Sequence, residues 1–435
     1  MSTALSTIDA RLCQQLDDYI SLSTTTNITT NNYIYATGLN EWDMSRDNYF
    51  LPSWWVYLNT TANPSVDRLI KAYTTSGARL EIYGAALAAE SAAQTIEVTR
   101  YRRTDRVRAI NDALRELYPR ASKSVDLRHL ITNNILPDGH FEWWTSTSAL
   151  KMYSTTNVTL TRTNTVGLTR GGKYSALATA TAADGVIELD SNSEPRLLDL
   201  MNQTIDFKAW AYPSTADDAF LTIIYYDASG TATTTNSTTT CPASVFTLLK
   251  IEDLSIPDNI TRIVFQFRVH TSGQTAYFDN ARVNGRAIYE LLLPSEFQTG
   301  ALYQVYKQTS SYSDDPCDDL NPLFSEELWD WITESDGAYK YLKLDASHGD
   351  NYLLKLIGIT PLESVSASTD TISLDDPQVD LVVAYSKYKF FQRKVNAASG
   401  ENVSQYRLDM ADAYLEYLRL APSLSVSSPS SILRI

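Results

Sequence analysis

Residues 133–142, NNILPDGHFE, and residues 275–283, TAYFDNARV, decide how this chain is divided. Between them, short runs of alternating apolar and polar residues follow one another at the spacing of sandwich strands. The flanking stretches, residues 84–133 and 286–420, look instead like two halves of one helical protein. We therefore predict one domain inserted into another, with the two quoted stretches as neighbouring outer strands whose closeness permits the insertion.

The predicted fold class is α+β multidomain: a helical bundle with accessory β-structure, interrupted by an all-β jelly-roll sandwich. The host domain begins with residues 1–133, which have a β-rich start and a helix at 104–117, and the sandwich covers 134–285. The predicted remainder is the second host part at 286–420, with strands within 297–363 and helices at 377–395 and 404–420, then an extended tail at 421–435.

Helical periodicity carries the host-domain prediction. Val107, Ile110 and Leu114 form one apolar stripe that Pro119 ends. Asp376 followed by Pro377 is typical of a helix start. In the last predicted helix the apolar stripe is Leu408, Ala411, Leu415 and Leu418. Because none of these helices can bury its stripe alone, we expect them to pack as one bundle.

Charge and composition exclude several classes of protein. The 435 residues carry a net charge of -15, and no basic block interrupts the acidic character, which disfavours tight nucleic-acid binding but permits DNA to pass without sticking. The N-terminus lacks a secretory signal and no apolar run is long enough to span a bilayer, so we expect synthesis in the cytoplasm and no membrane insertion. Three scattered cysteines predict neither a disulfide framework nor a zinc site.

Motifs for catalysis are weak. Residues 167–173, GLTRGGK, match the glycine and lysine spacing of a phosphate-binding loop. Tyr174 stands where magnesium needs Ser or Thr, and a strand follows instead of a helix, so we interpret the match as coincidence. The four histidines, His129, His140, His270 and His348, fit no catalytic pattern. We predict no enzyme and no required cofactor.

Two strands of the predicted sandwich have outward side chains suited to sugars. The alternation in residues 262–270 leaves Gln266 and Arg268 outward, and that in 206–213 leaves Trp210 and Tyr212 outward. Aromatic faces stack on sugar rings, while amides and guanidinium groups bond hydroxyls. The alternative is that Trp210 and Tyr212 pack under a loop or against the host domain, and the sequence leaves both possibilities open.

The inserted segment resembles the jelly-roll carbohydrate-binding modules of bacterial glycosidases. The resemblance lies in NILPDGHFEWW, GGKYSALATA, IDFKAWAYP and TAYFDNARV, and it covers nearly all of residues 133–285. In that family a structural calcium often joins the first and last strands. The resemblance therefore implies Glu142 and Asp279 as ligands, with Asp138 beside them, although Asn280 stands where a second aspartate is common.

The flanking chain resembles the head-to-tail adaptor, or neck, proteins of tailed bacteriophages. The residues concerned are RVRAINDALRELYPR at 106–120, YLLKLIGITPLESVS at 352–366 and DDPQVDLVVAYSKYKFFQRKV at 375–395. The resemblance implies a virion protein at the neck, in a ring of about twelve copies under the portal protein, next to tail or other neck proteins.

The C-terminal apolar residues would dock into a partner of that ring: Ile432, Leu433 and Ile435. Within the virion reading, the jelly roll would project outward and bind cell-surface glycans. Two alternatives belong to other classes: a soluble carbohydrate-binding protein whose helices are only a platform, and a hydrolase with an appended sugar-binding module.

Overall fold

The structure is a computed structural model that describes residues 2–16, 19–41, 47–51, 53–309, 323–345, 348–374, 376–397 and 402–421. In the first third of the chain the elements are β1 (Thr3–Ala4), α1 (Leu5–Gln15), β2 (Ile20–Ser23), β3 (Tyr33–Tyr35), β4 (Trp55–Leu58), β5 (Val66–Thr74), β6 (Arg79–Ile82), β7 (Thr95–Thr99), α2 (Arg103–Glu116) and β8 (Lys123–Ile131).

The middle of the chain consists of strands: β9 (Trp144–Ser146), β10 (Ala149–Leu150), β11 (Ser154–Thr156), β12 (Val158–Thr163), β13 (Ser175–Ala180), β14 (Gly185–Asp190), β15 (Thr204–Pro213), β16 (Ala219–Asp227), β17 (Ala232–Asn236), β18 (Thr247–Ser255), β19 (Ile260–Val269) and β20 (Thr275–Asn284). The remaining elements are β21 (Glu290–Leu292), α3 (Ser295–Thr299), β22 (Ala301–Lys307), β23 (Glu326–Leu328), β24 (Trp331–Ser335), β25 (Lys340–Leu344), β26 (Leu353–Thr360), β27 (Thr371–Ile372), α4 (Asp376–Ala397) and α5 (Asn402–Leu420).

The predicted fold class is wrong, because the chain is mainly β rather than a helical bundle with accessory strands. The described residues form 27 strands and five α-helices. Strands prevail even in the N-terminal part, where six of them make a sheet in the order β2-β7-β4-β5-β6-β3. These strands are mostly short, and each is stabilised by its neighbours in the sheet. The local pattern of the sequence therefore did not predict how many strands form.

The chain divides into two compact units. Unit 1 comprises Met1–Lys123 and Pro361–Ile435, and unit 2 comprises Ser124–Thr360. Residues 286–360, which we predicted to belong to the helical domain, therefore lie in unit 2. The reason is strand pairing: β22 lies between β23 and β26, and β26 pairs with β8. Val305, Leu354 and Leu356 join the same hydrophobic core as the sandwich.

Unit 1 has a sheet core and a helical core. Under the six-stranded sheet, fully buried side chains include Phe50, Val56 and Ile70. In the helical core, Ile110 and Leu114 of α2 lie with apolar residues of α1 and α4. Ion pairs also join α2 to α4, including Arg393 with Asp112 and Lys394 with Asp105 at 3.1 Å. Helices from before and after unit 2 thus share one core.

The apolar stripe predicted for α5 does not face that core. Leu408, Leu415 and Leu418 are 62%, 63% and 44% exposed. Helix α5 instead packs through another face, whose side chains are Tyr406, Met410, Ala413, Tyr417 and Leu420. Tyrosine and methionine can pack as well as leucine, and hydrophobicity alone selected the wrong face. Of the helices that the structure describes, none combines the length and apolar character needed to cross a bilayer.

Unit 2 contains the predicted jelly-roll sandwich, made of two five-stranded antiparallel sheets. Sheet G has the order β11-β14-β19-β16-β17, and sheet H has the order β12-β13-β20-β15-β18. Alternate residues of both sheets point inward, and Phe207, Phe265, Phe267 and Phe278 are fully buried between them. Edge-to-face contacts, such as Phe207 with Phe267 at 5.4 Å, fill this core.

Two asparagines tie the entry of the sandwich to its exit. The Oδ1 of Asn134 accepts hydrogen bonds from the backbone N–H of Leu136 and of Val283, and its Nδ2 donates to the carbonyl of Ala281 at 3.0 Å. Asn133 Oδ1 accepts from the N–H of Ile288 at 2.9 Å. The quoted stretches that bound the segment are therefore held side by side by buried hydrogen bonds.

Candidate functional site

The four residues predicted to bind glycans do not form one site. Gln266 and Arg268 lie on β19 and point outward from sheet G. Trp210 and Tyr212 lie on β15 and point outward from sheet H. Because the two sheets pack through their inner faces, the two pairs occupy opposite sides of the sandwich.

On the Gln266 side, five polar side chains stand in direct register across sheet G. We call this set the polar row, and in strand order it consists of Ser154, Glu188, Gln266, Thr222 and Asn236. With neighbouring strands about 4.8 Å apart, the row crosses the sheet over about 19 Å. A row of this length can contact several consecutive units of a linear ligand.

Hydrogen bonds within the polar row fix its geometry. Gln266 Nε2 donates to Glu188 Oε2 at 2.9 Å, and Thr222 Oγ1 donates to Asn236 Oδ1 at 2.8 Å. The amide of Gln266 also has an acceptor oxygen, and the amide of Asn236 also has two donor hydrogens. Thr222 is fully buried, so the groups that the row offers to a ligand are the hydroxyl of Ser154, the carboxylate of Glu188 and the amides of Gln266 and Asn236. Donors and acceptors of these kinds can bond hydroxyl groups.

Mixed rows flank the polar row on both sides. The next row along the strands contains Thr156, Val186, Arg268 and Phe220, and the row on the other side contains Asp190, Val264, Ile224 and Thr234. Of the apolar side chains in these rows, Phe220 and Ile224 are partly exposed, whereas Val264 is only 2% exposed.

Two arginines hold the ends of this face. The guanidinium of Arg268 lies 5.1 Å from the ring centre of Phe220, and Arg268 Nη2 lies 3.1 Å from Asp184 Oδ1. The hydrogen bond between Asp184 and His270, reinforced by the charge of Arg268, holds the pKa of Asp184 below its ordinary value. Asp184 therefore stays ionised and keeps Arg268 in place at neutral pH.

At the other end, Arg262 is held in the same manner. Its guanidinium lies 4.9 Å from the ring centre of Tyr226, and its Nε donates to Asp190 Oδ2 at 2.8 Å. Planar guanidinium groups with a fixed orientation are well suited to donating to ring hydroxyls. Along β19, the face thus has a guanidinium group on each side of the polar row.

The aromatic residues on sheet H are engaged with the protein itself. The guanidinium of Arg170, from the loop between β12 and β13, lies 4.1 Å from the ring centre of Trp210. Tyr212 packs on Phe246 and Tyr277, with ring centres 5.2 and 5.8 Å away. These contacts agree with the alternative that Trp210 and Tyr212 pack under a loop.

The predicted calcium ligands lie near the start and end of the sandwich and accept hydrogen bonds from the backbone. Asp138 accepts from the N–H groups of Glu142 and Trp143, both at 2.8 Å. Asp279, which is fully buried, accepts from the N–H groups of Arg170, Gly171 and Asn280.

Glu142 completes this carboxylate set. It accepts from the N–H groups of Lys173 and Tyr174. Burial raises the pKa of Asp138 and of Asp279 to about 7 and that of Glu142 to about 8, and the neighbouring carboxylates add to the increase for Glu142. Each of these carboxyl groups therefore binds a proton more readily than an ordinary Asp or Glu, and the set is partly protonated at neutral pH.

The donor chemistry of this set suits calcium, which prefers carboxylate oxygens. The geometry is less suitable, because most of the carboxylate oxygens already accept N–H groups. In the part of the chain that the structure describes, no three His, Cys, Asp or Glu side chains are grouped so as to hold a metal ion. The calcium site remains a prediction.

The same loop explains the motif that resembled a phosphate-binding loop. The N–H groups of Arg170 and Gly171 donate to the carboxylate of Asp279, and those of Lys173 and Tyr174 donate to that of Glu142. The anions that this loop binds are thus the protein's own side chains. The predicted docking residues Ile432, Leu433 and Ile435 lie outside the described residues.

Comparisons with known proteins found similar solved structures that include carbohydrate-binding modules. No protein-family model matches the chain, and no curated protein matches it. The xylan-binding domain CBM22-1 of Paenibacillus barcinonensis Xyn10C is a similar solved structure, with 14% identity and a TM-score of 0.29 over 36% of this chain and 97% of that chain. TmCBM61 in complex with beta-1,4-galactotriose has 10% identity and a TM-score of 0.26 over 35% of this chain and 99% of that chain.

A viral protein is among the similar structures. The enzymatically active domain of tailspike protein 4 of bacteriophage CBA120 has 16% identity and a TM-score of 0.28 over 35% of this chain and 22% of that chain. At these identities and TM-scores, the similarities carry no argument about what this chain binds. They also give no support to a head-to-tail adaptor, to a ring or to a portal partner, which remain hypotheses.

Sequence reasoning identified one residue of the polar row and missed four: Ser154, Glu188, Thr222 and Asn236. A signal was present for Glu188, because residues 185–190, GVIELD, alternate in the same manner as the Gln266 strand. The pairing of Gln266 with both Glu188 and Thr222 depends on register between distant strands, which the sequence did not reveal.

Proposed function

We propose that this chain is a carbohydrate-binding protein that holds a linear oligosaccharide across sheet G of its jelly roll. The observation that carries the proposal is the polar row, in which four accessible hydrogen-bonding side chains lie in register on one face, beside the partly exposed Phe220 and Ile224. Sugar rings have apolar faces and hydroxyl edges, so they need both kinds of contact side by side. Arg268 lies on β19 in the row next to Gln266, so it would donate to a hydroxyl along the side of the ligand.

The test uses the full-length chain on a glycan array, followed by calorimetric titration with the best neutral oligosaccharide. We expect Gln266→Ala to weaken binding by about tenfold, since losing a hydrogen bond to a ligand costs about 1–1.5 kcal/mol. The double variant Gln266→Ala/Arg268→Ala is expected to abolish measurable binding. Unchanged thermal unfolding of each variant would show that the fold is retained.

Trp210→Ala on sheet H is the matched control, because it removes an aromatic side chain from the opposite face of the same sandwich. We expect its affinity for the oligosaccharide to equal that of the unmodified chain. If Trp210→Ala abolished binding while Gln266→Ala left it unchanged, the polar row would not be the binding face.

Assembly of unit 1 into the neck ring of a bacteriophage is the second candidate function. A specific observation favours it: Leu408, Leu415 and Leu418 form an exposed apolar stripe on α5, which is the kind of surface that protein interfaces cover. We expect light scattering of the full chain with a portal ring to show a complex that the Leu415→Glu variant does not form. Equal binding by the two proteins would exclude this stripe as the contact surface.

A further inference from the structure

Helix α5 has two apolar faces, one packed against the rest of unit 1 and one exposed. The packed face is centred on Ala413, which is fully buried. The exposed face carries Leu408, Leu415 and Leu418, with Ala411 between them. Since successive residues of a helix are about 100° apart, the exposed stripe lies on the side of α5 opposite to Ala413.

The spacing of this stripe is that of a coiled-coil contact. Leu408, Ala411, Leu415 and Leu418 follow one another at intervals of three, four and three residues. These are the a and d positions of two successive heptads, where each apolar side chain fits between four side chains of a facing helix. We call these four residues the α5 seam. Their spacing suits a second helix as the surface that covers them.

Charged and aromatic side chains border the α5 seam on both sides. Arg407 and Tyr414 occupy g positions, and Asp412 and Arg419 occupy e positions. All four are exposed. Within the part of the chain that the structure describes, neither Arg407 nor Asp412 takes part in an ion pair. Both charges are therefore available to a partner helix.

We propose that the α5 seam pairs with the α5 seam of a second copy of this chain, in a parallel two-helix interface with twofold symmetry. In a parallel coiled coil, a g position lies beside the e position of the next heptad on the partner helix. Arg407 thus meets Asp412 of the partner subunit, and the symmetry repeats this pair on the other side. Tyr414 likewise faces Arg419 of the partner subunit, which places a guanidinium next to an aromatic ring.

The charges also determine the orientation and the identity of the partner. In an antiparallel pair that aligns the same α5 seam, e positions lie next to e positions, so the two Asp412 carboxylates would repel each other. In the parallel pair, each Asp412 has an Arg407 as its neighbour. The borders of the α5 seam are therefore complementary to themselves, which is the property that a second copy requires.

The length of the α5 seam determines how strong the association is. At 1.5 Å per residue, it extends about 15 Å from Leu408 to Leu418, which is short for a coiled coil. The helix is already formed in each protomer, so binding does not include the entropy cost of ordering it. We therefore expect a reversible dimer with a Kd of about 1–100 μM.

This inference does not depend on glycan binding by sheet G. It does compete with the second candidate function, because a portal ring would need the same leucines. A test of self-association therefore has to identify the pairing itself as well as the apolar surface.

Sedimentation equilibrium of the full-length chain between about 1 and 300 μM measures the association. We expect dimers, and we expect Leu415→Glu to weaken dimerisation at least about tenfold, because it places two carboxylates in the apolar contact. Val166→Glu is the matched control, since Val166 is 97% exposed in the loop between β12 and β13. It is expected to dimerise like the unmodified chain. Unchanged thermal unfolding of both variants would show that the fold is retained.

Charge reversal tests the pairing. In Arg407→Asp, two acidic groups would face each other at each contact between g and e positions, and in Asp412→Arg two basic groups would do so. Each variant alone is therefore expected to dimerise about tenfold more weakly than the unmodified chain. An equimolar mixture of the two variants places opposite charges together again at both contacts. We expect the mixture to form heterodimers with the affinity of the unmodified chain.

Four outcomes would overturn the proposal. The first is a chain that stays monomeric over the whole concentration range, whether or not it binds a portal ring. The second is equal dimerisation by Leu415→Glu and the unmodified chain. The third is charge-reversal variants that dimerise normally when alone, or that do not associate when mixed. The fourth is dimerisation that occurs only after residues 422–435 are removed, which would make that segment the occupant of the α5 seam.

Discussion

Replacing Arg106 by alanine is expected to lower the free energy of unfolding of unit 1 by about 3–5 kcal/mol. Arg106 is fully buried, and its fork donates to both carboxylate oxygens of Asp9, at 2.8 and 3.0 Å. Its remaining nitrogen donates to Thr99 Oγ1 at 3.0 Å. Without the guanidinium, the carboxylate of Asp9 would remain in an apolar interior with its main cation removed.

Arg11→Ala, on the same helix as Asp9, is the matched control. Arg11 pairs with the carboxylates of Asp376 and Asp380 at 3.1 Å, but these groups are exposed to water. We expect Arg11→Ala to lower the free energy of unfolding by less than about 1 kcal/mol. Urea unfolding, with hydrogen exchange of the α1 and α2 amides to place the effect in unit 1, measures both. Equal losses of unfolding free energy in the two variants would show that burial of the Arg106–Asp9 pair adds nothing to stability.

Asp279→Ala is expected to lower the free energy of unfolding of unit 2 by about 3 kcal/mol. The partly buried N–H groups of Arg170 and Gly171 and the buried N–H of Asn280 would lose their acceptor, at about 1–3 kcal/mol each. Burial raises the pKa of Asp279 to about 7, so removing the carboxylate recovers part of that cost. The lost hydrogen bonds are the larger contribution, and the variant is therefore less stable.

Asp227→Ala is the control for this variant. Asp227 likewise accepts N–H groups, those of Ser229 and Thr231, but in an exposed turn where water can replace it. We expect a much smaller loss of stability. Thermal unfolding of both variants measures these losses of stability. Thermal unfolding with and without calcium tests the predicted metal site, because calcium should raise the melting temperature of the unmodified chain and not that of Asp279→Ala. A melting temperature of the unmodified chain that calcium does not change would contradict the predicted calcium site.

The sequence predicted best where long local periodicity decides structure. The stripe of Val107, Ile110 and Leu114 lies in a helix that spans Arg103–Glu116. The helix start predicted at Asp376 and Pro377 is the start of the helix Asp376–Ala397. The parity of β19 was also predicted: Phe265 and Phe267 are buried, and Gln266 faces outward. In these segments the apolar pattern and the tertiary contacts agree.

The sequence predicted poorly where distant segments decide. The six-stranded sheet of unit 1 is built from strands of three to nine residues, whose pairings cannot be inferred from local pattern. Residues 286–360 looked like part of the helical domain, but Val305, Leu354 and Leu356 share the hydrophobic core of the sandwich in unit 2. On α5, Tyr406, Met410, Tyr417 and Leu420 pack against the cores, because ring packing against α4 outweighed the hydrophobicity of the exposed leucines.

The same limitation applied to the candidate site. Gln266 was identified from its own strand, but Trp210 was grouped with it because sequence does not show which sheet a strand joins. Sites that depend on contacts between distant segments need the fold before they can be recognised.

The central claim is that sheet G of the jelly roll is the carbohydrate-binding face. A crystal structure of the full chain with its tightest neutral oligosaccharide tests it most directly. The account predicts sugar rings along the polar row, with hydroxyls within hydrogen-bonding distance of Gln266 and Glu188. Sugar bound instead over Trp210 and Tyr212 on sheet H, with the polar row empty, would contradict it.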